Sequence, residues 1–315
     1  MGIFLLRRLA AMLFAVLFLT ALVFFLMQTV LGDPVVIMLG RDADPATIAR
    51  LRQDLGFDRP IHAQYLDWLS RLLRGDWGRS FRTGQPVLGA IGARLPVTLE
   101  LTVLSLGLAV SLALALGILA ATRRRTRLDL AVSVLTALGS AMPNFWIAIL
   151  LILLFALELR LLPSSGSVPL WDDPLGNLQS MLLPAVTLSA AYFSNLARLT
   201  RARVLDALDS DYVRTARAKG VRERRVLWVH ALRNSLLPVL SVLGVSIARL
   251  FGGAVVTETI FALPGVGVLL VDSILGRDFP VVQGVIIVTT VGVSATNLLI
   301  ELAYGVVDPR VRHVQ

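Results

Sequence analysis

Cysteine is absent from the 315-residue chain, so disulfides, thiolate metal sites and cysteine nucleophiles are excluded. Lysine occurs once, at Lys219, preceded by Arg217-Ala218 and followed by Gly220-Val221. A phosphate-cradling loop places its lysine after a glycine-rich turn and before Ser or Thr, so that motif is missing. Histidine is scarce too. His62, His230 and His313 are too far apart for any metal-ligand spacing. No Ser/His/Asp set or carboxylate pair is arranged for catalysis, and Glu100, Glu158 and Glu301 fall near the ends of apolar runs. The reading is a chain with no catalytic residue and no metal site, and with no cofactor of its own.

Apolar residues are plentiful. They make up 56% of the chain, with a mean hydropathy of +0.76, above the 45–50% usual in soluble domains. The excess lies in runs of roughly 20 residues, the length that spans a bilayer core as helix. The formal charge of +9 does not indicate nucleic acid. The arginines cluster at the ends of the apolar runs, where orientation signals belong.

This gives an all-α polytopic membrane protein with six transmembrane helices and both termini cytoplasmic. Residues 1–31 hold a short basic start, Arg7-Arg8, and a first span too long for a signal-peptide core. Residues 32–95 read as an external helical region. There Asp44-Pro45 caps one helix and Tyr65, Leu69, Leu72 and Leu73 mark another that ends near Gly75. Residues 96–315 form the transmembrane domain proper. Its spans are expected at about 96–121, 130–157, 182–199, 236–256 and 281–303, with Arg123, Arg124, Arg125 and Arg127 marking a cytoplasmic turn. In the 182–199 span, Thr187, Ser189, Ser194 and Asn195 suit close helix packing and interhelical hydrogen bonds.

A basic stretch at about 200–235 lies between apolar runs and belongs in the cytoplasm. From Val204, the residues Leu205, Leu208, Tyr212 and Ala216 recur at helical spacing. Acids come early (Asp206, Asp209, Asp211) and bases late (Arg214, Arg217, Lys219), which complements the helix dipole. Gly220 fits the residue that ends a helix in a left-handed conformation, and a second helix starts near Arg222. A helix-Gly-helix knob of this kind can sit in a partner's groove. The same helices could instead lie in the headgroup layer, held by arginines on anionic lipid. The physics alone leaves both readings open.

The stretch Asp211-Tyr212-Val213-Arg214-Thr215-Ala216-Arg217-Ala218-Lys219-Gly220, running on to Leu236-Leu237-Pro238, resembles the coupling loop of ABC importer permeases, with the family's triplet position at Arg214-Thr215-Ala216. The long Gly220-to-Pro238 interval resembles the peptide/nickel branch. So do residues 75–80 (Gly-Asp-Trp-Gly-Arg-Ser), 94–100 (Arg-Leu-Pro-Val-Thr-Leu-Glu), 142–146 (Met-Pro-Asn-Phe-Trp), 258–267 (Glu-Thr-Ile-Phe-Ala-Leu-Pro-Gly-Val-Gly) and 277–280 (Arg-Asp-Phe-Pro). The resemblance covers essentially the whole chain and implies a type I importer-like permease in a bacterial inner membrane. It implies a coupling set of Tyr212, Arg214, Thr215, Ala216, Arg217, Lys219 and Gly220. The implied partners are a homologous permease subunit in a heterodimer, two ATPase subunits carrying ATP and Mg, an external substrate-binding protein and membrane lipid. The implied cargo is di- or oligopeptides, with nickel or a metal chelate as the alternative within the family. An ATP-independent channel or scaffold is the alternative outside it.

Other polar residues have two readings each. Arg249 lies at hydrocarbon depth and is either a cavity cation for a substrate carboxylate or a structural residue, paired with a carboxylate or reaching an interface. Asn144, Asn195 and Asn297 either line a path or bond between helices. The resemblance suggests a gate or packing role for Glu258, with Phe261, Pro264 and Gly265 beside it. A plain interfacial glutamate is the other reading.

Overall fold

A computed structural model describes residues 2–30, 34–40, 43–54, 56–232, 235 and 252–307. The described residues are helical almost throughout, with one isolated antiparallel bridge between Arg79 and Pro86. Among the described residues, four helices are long and apolar enough to cross a membrane, or five if a bent pair counts as one span. The chain divides into two compact units, Met1–Pro96 with Gly265–Ser294 and Val97–Pro264 with Ala295–Gln315.

The first unit begins with α1 (Gly2–Val30), followed by α2 (Pro34–Leu39), α3 (Pro45–Asp54) and α4 (Ile61–Leu73). The Asp44 carboxylate accepts from the Thr47 backbone N–H at 3.2 Å, as its capping position predicts. α4 ends before Gly75, which has φ +87°. Its Tyr65 hydroxyl donates to the Leu17 carbonyl of α1 at 3.2 Å, and its ring meets Phe24 edge-on at 5.4 Å. Later in the chain come α12 (Val266–Leu275) and α13 (Phe279–Val307). Val87, Ile91, Val266, Leu269, Val281 and Val285 form this unit's main core.

The second unit is built around α8 (Pro174–Leu208), with the part of α5 (Val87–Thr122) that follows Pro96, α6 (Arg127–Ala141) and α7 (Asn144–Leu151). Several elements depart from the expected spans. α5 starts at Val87, and Pro96 lies inside it. The expected 130–157 span is two helices bent by 112°, α6 and α7 with its π-helical continuation Ile152–Glu158. Pro143 supplies the cause. It has no N–H to donate and pushes the preceding residue out of the helical region; Met142 is extended, at φ −85° and ψ 131°. α8 starts eight residues before the expected span because Asp173 caps it, accepting from Leu175 N–H at 3.1 Å, with Pro174 in the first turn.

Small residues let the helices of this unit approach closely. A Cβ on Gly117 would lie 2.8 Å from the Ala197 carbonyl oxygen and from Thr200 Cβ, and one on Gly139 would collide with Ser194. Thr187, Ser189 and Ser194 of α8 are buried, as their packing role predicts, whereas Asn195 is exposed.

Candidate functional site

The basic stretch folds as two short helices at the end of α8. The single helical run expected from Val204 to Ala216 is interrupted. α8 stops at Leu208, Asp209 caps its C-terminus, and Ser210 takes an extended conformation (φ −74°, ψ 154°) that begins α9 (Asp211–Ala218). The break resets the helical phase. Val213 and Ala216 become the buried pair, and Tyr212, expected on that face, is 43% exposed.

α9 ends at Gly220, where φ is +74°. The Val221 N–H donates to the Ala216 carbonyl at 3.2 Å and the Gly220 N–H to the Arg217 carbonyl at 2.9 Å. These two bonds define a left-handed helix stop, which glycine adopts at no steric cost. The chain then forms α10 (Glu223–Arg225) and a π-helical turn, Val226–Ala231. Val213, Ala216 and Val226 make a small closed core with Val221 packed on it. Burying Val213 and Val226 stabilises the knob by about 1.5–3 kcal/mol each. At its base, Leu227 and Leu232 pack with Ala121 of α5 and Val204 of α8.

The polar side of the knob is outward. Arg214, Thr215, Lys219 and Gly220 are exposed. Arg217 makes a two-bonded ion pair with Glu223, Nε to Oε1 at 2.8 Å and Nη2 to Oε2 at 3.3 Å, which joins the two helices across the turn. Of the expected set, Ala216 alone is buried; it belongs to the core of the knob.

Elsewhere in the second unit, a helix at residues 252–260 (α11) ends in a similar stop with Ala262 at φ +49°. The Leu263 N–H donates to the Glu258 carbonyl at 2.8 Å, and Gly166 N–H donates to the Phe261 carbonyl at 2.9 Å. Phe261 is buried and Pro264 exposed. Glu258 has no exposed surface, and its carboxylate accepts from the Thr98 hydroxyl of α5 at 2.6 Å. Glu258 is thus buried within this chain and hydrogen-bonded to Thr98. Gly265, buried in the first unit, precedes α12 with extended backbone at φ −95° and ψ 175°.

In the first unit, a second pair of motif residues meets. Asp278 accepts a short hydrogen bond from the Ser80 hydroxyl and another from the Phe81 N–H at 3.0 Å. Ser80 in turn accepts from the Thr83 N–H at 2.9 Å, which fixes the turn after Trp77-Gly78. Ser80 and Asp278 are 198 residues apart, and Thr98 and Glu258 are 160 apart. Motifs that carry the family resemblance are thus hydrogen-bonded to each other in space. Their residues were visible in the sequence, but the pairing was not.

The remaining expected residues do not converge. Asn144 begins α7, half-buried, with its amide nitrogen 3.7 Å from the position of a Cβ on Gly253. Asn195 accepts from Arg198 at 2.7 Å and donates to the Ala191 carbonyl at 3.1 Å. Asn297 is half-buried on α13. Arg249 and the Leu236-Leu237-Pro238 stop lie outside the described residues. Among the described residues, no group of three or more His, Asp or Glu could hold a metal ion.

Helices of membrane-crossing length, with a folded basic knob at the end of α8, are the architecture expected of a polytopic permease. The fold agrees with solved importers. The structure matches the MetNI methionine ABC transporter in an inward-facing form with a TM-score of 0.56, at 15% identity, over 71% of this chain and 99% of that one. It matches an amino acid ABC transporter crystallised with histidines at a TM-score of 0.51 and 15% identity, over 69% and 93%. The chain belongs to the binding-protein-dependent transport system inner membrane component family, whose model matches residues 113–313. The N-terminal model of the same class of membrane components matches residues 1–102. It is 44% identical over 308 residues to a putative peptide transport system permease protein of Brucella abortus (strain 2308), covering 98% of each chain. It is 37% identical to the oligopeptide transport system permease protein AppB of Bacillus subtilis (strain 168), over 99% of this chain and 100% of that one. It is 38% identical to the dipeptide transport system permease protein DppB of Escherichia coli (strain K12), over 98% of each. The protein is an inner-membrane permease subunit of an ABC transporter, and such subunits are non-catalytic.

Proposed function

We propose that this permease carries di- and oligopeptides inward, driven by ATP that partner subunits hydrolyse with Mg. Full-length relatives named as peptide permeases support the cargo. They do not favour the nickel or metal-chelate reading. Six spans with both termini in the cytoplasm satisfy the arginine bias at each short loop. A sister permease pairs with this chain, two ATPases bind below, and an external binding protein delivers the peptide.

The observation that carries the mechanism is the knob at residues 211–231. It closes its own small core and turns Tyr212, Arg214, Thr215, Lys219 and Gly220 outward. Such a unit can be seated in an ATPase groove without unfolding, and its movement passes into α8. Asn144, Asn195, Asn297 and Arg249 are candidates for the peptide path. Glu258 and Phe261, with Pro264 and Gly265 after them, form the external gate, where a buried carboxylate fixes the end of α11. Native mass spectrometry of the binding protein encoded beside this permease tests the cargo. A ladder of short-peptide masses is expected. A single nickel or chelate mass overturns the peptide reading and leaves the coupling mechanism intact.

A further inference from the structure

We propose that Asp129 and Arg201 are positioning residues for coupling. Their ion pair clamps the α6 start to the stalk of the knob, so that α6 and the cytoplasmic end of α8 move as one body. This rests on the assignment of residues 211–231 as the ATPase-docking element.

The geometry is unusually complete for a pair 72 residues apart. Arg201 Nε and Nη2 donate to the two oxygens of Asp129 at 2.6 and 2.8 Å. The Asp129 side chain is 9% exposed and that of Arg201 31%. Planar two-bonded pairing fixes orientation as well as distance, which a single contact does not. Asp129 also accepts from the backbone N–H of Arg125 at 3.0 Å. Arg125 has φ +62°, a conformation that non-glycine residues adopt only when surroundings hold them there. The carboxylate therefore holds both the turn and the stalk.

A second contact lies lower on the same stalk. Arg124 of the turn reaches Asp209 at 3.3 Å, and Asp209 is the first of the two residues between α8 and α9. That pair is exposed on both sides, so it contributes little alone. Arg201 and Asp209 are eight residues apart, about 12 Å along a helix. The turn thus grips α8 at two heights directly above the knob. A push on α9 cannot bend the end of α8 away from α6 without opening this half-buried fork. The packing of α6 on α8 through Gly139 and Ser194 continues the same contact upward.

The absence of native cysteine provides a clean background for a distance measurement. Spin labels at Arg127→Cys and Arg203→Cys, both exposed positions, report the α6–α8 separation in the assembled transporter in lipid. The expected result is one narrow distance that stays the same with and without trapped ATP. With Asp129→Asn added, the distance broadens or shifts on trapping, and transport per ATP hydrolysed falls at least tenfold while ATPase activity persists. The reversal Asp129→Arg with Arg201→Asp restores part of that ratio. If Asp129→Asn does not accumulate in the membrane, Arg201→Lys, which keeps charge but loses the fork, is expected to show the same broadening. An unchanged distance and ratio in the variants, or a wild-type distance that itself changes on trapping, overturns the proposal. The distance does not depend on which cargo is carried, so a failed peptide assignment leaves it readable.

Discussion

Gly220 and Arg217 were both legible in the sequence, but they act differently in the structure. A Cβ on Gly220 would meet nothing within 4 Å, so the constraint there is backbone conformation and not space. A β-branched residue pays about 1–2 kcal/mol for a left-handed conformation, whereas Asn tolerates it better. Gly220→Val is therefore expected to cut transport severalfold with ATPase activity retained, and Gly220→Asn to stay near wild type, in paired transport and ATPase assays. Arg217→Glu sets two carboxylates against each other at the turn. The native pair is exposed and contributes no more than about 1 kcal/mol, so the variant is expected to melt within a few degrees of wild type and yet lose transport. Glu223→Arg in the same chain restores the attraction and is expected to recover function. Glu258 shows where residue-level reading stops. Its position left a gate, a packing role or a plain interfacial glutamate open, and only the fold brings it to the Thr98 hydroxyl, 160 residues away. Thr98→Val is expected to lower stability by about 1–3 kcal/mol, read as an earlier thermal transition in detergent.

The helices were legible as apolar runs, and their ends were legible only where capping chemistry was taken at face value. Asp44-Pro45 was read as a helix start. The identical pair Asp173-Pro174 falls before the expected 182–199 span, in a stretch where Pro163 and Pro169 also break helical periodicity, yet it starts α8 in the same way. Met142-Pro143 lay inside a run apolar enough to pass as one span. Periodicity does not register a 112° bend that depends on one missing N–H. Likewise Asp209-Ser210 interrupts a run whose apolar spacing continues smoothly across it. Helix contacts give a further expectation. Gly139 of α6 faces Ser194 of α8 with no room for a side chain. Gly139→Ala is expected to cost about 1–3 kcal/mol through overpacking, and Ser194→Ala in the same chain to recover much of it. The check is the melting temperature of the single and double variants. No recovery in the double variant would mean that the two helices do not meet as described.

Across the whole molecule, composition alone pointed to a membrane protein, and the distribution of arginine carried the expected orientation. Neither gave a partner. α1 shows why, because its apolar surface is largely uncovered: Leu13 is 60% and Phe14 70% exposed. Lipid or a sister subunit would cover such a face equally well. The knob is more discriminating, since it pairs a closed core with an outward polar face. Its two sequence readings, an ATPase lever or a pair of helices resting in headgroups, differ in what Tyr212 touches. A photoreactive phenylalanine analogue at Tyr212, in the transporter assembled in native membranes, distinguishes them directly. A crosslink to an ATPase subunit, lost when that subunit is omitted, is the predicted result. Adducts to lipid alone, with the ATPases present, would contradict the assignment of residues 211–231 as the coupling element.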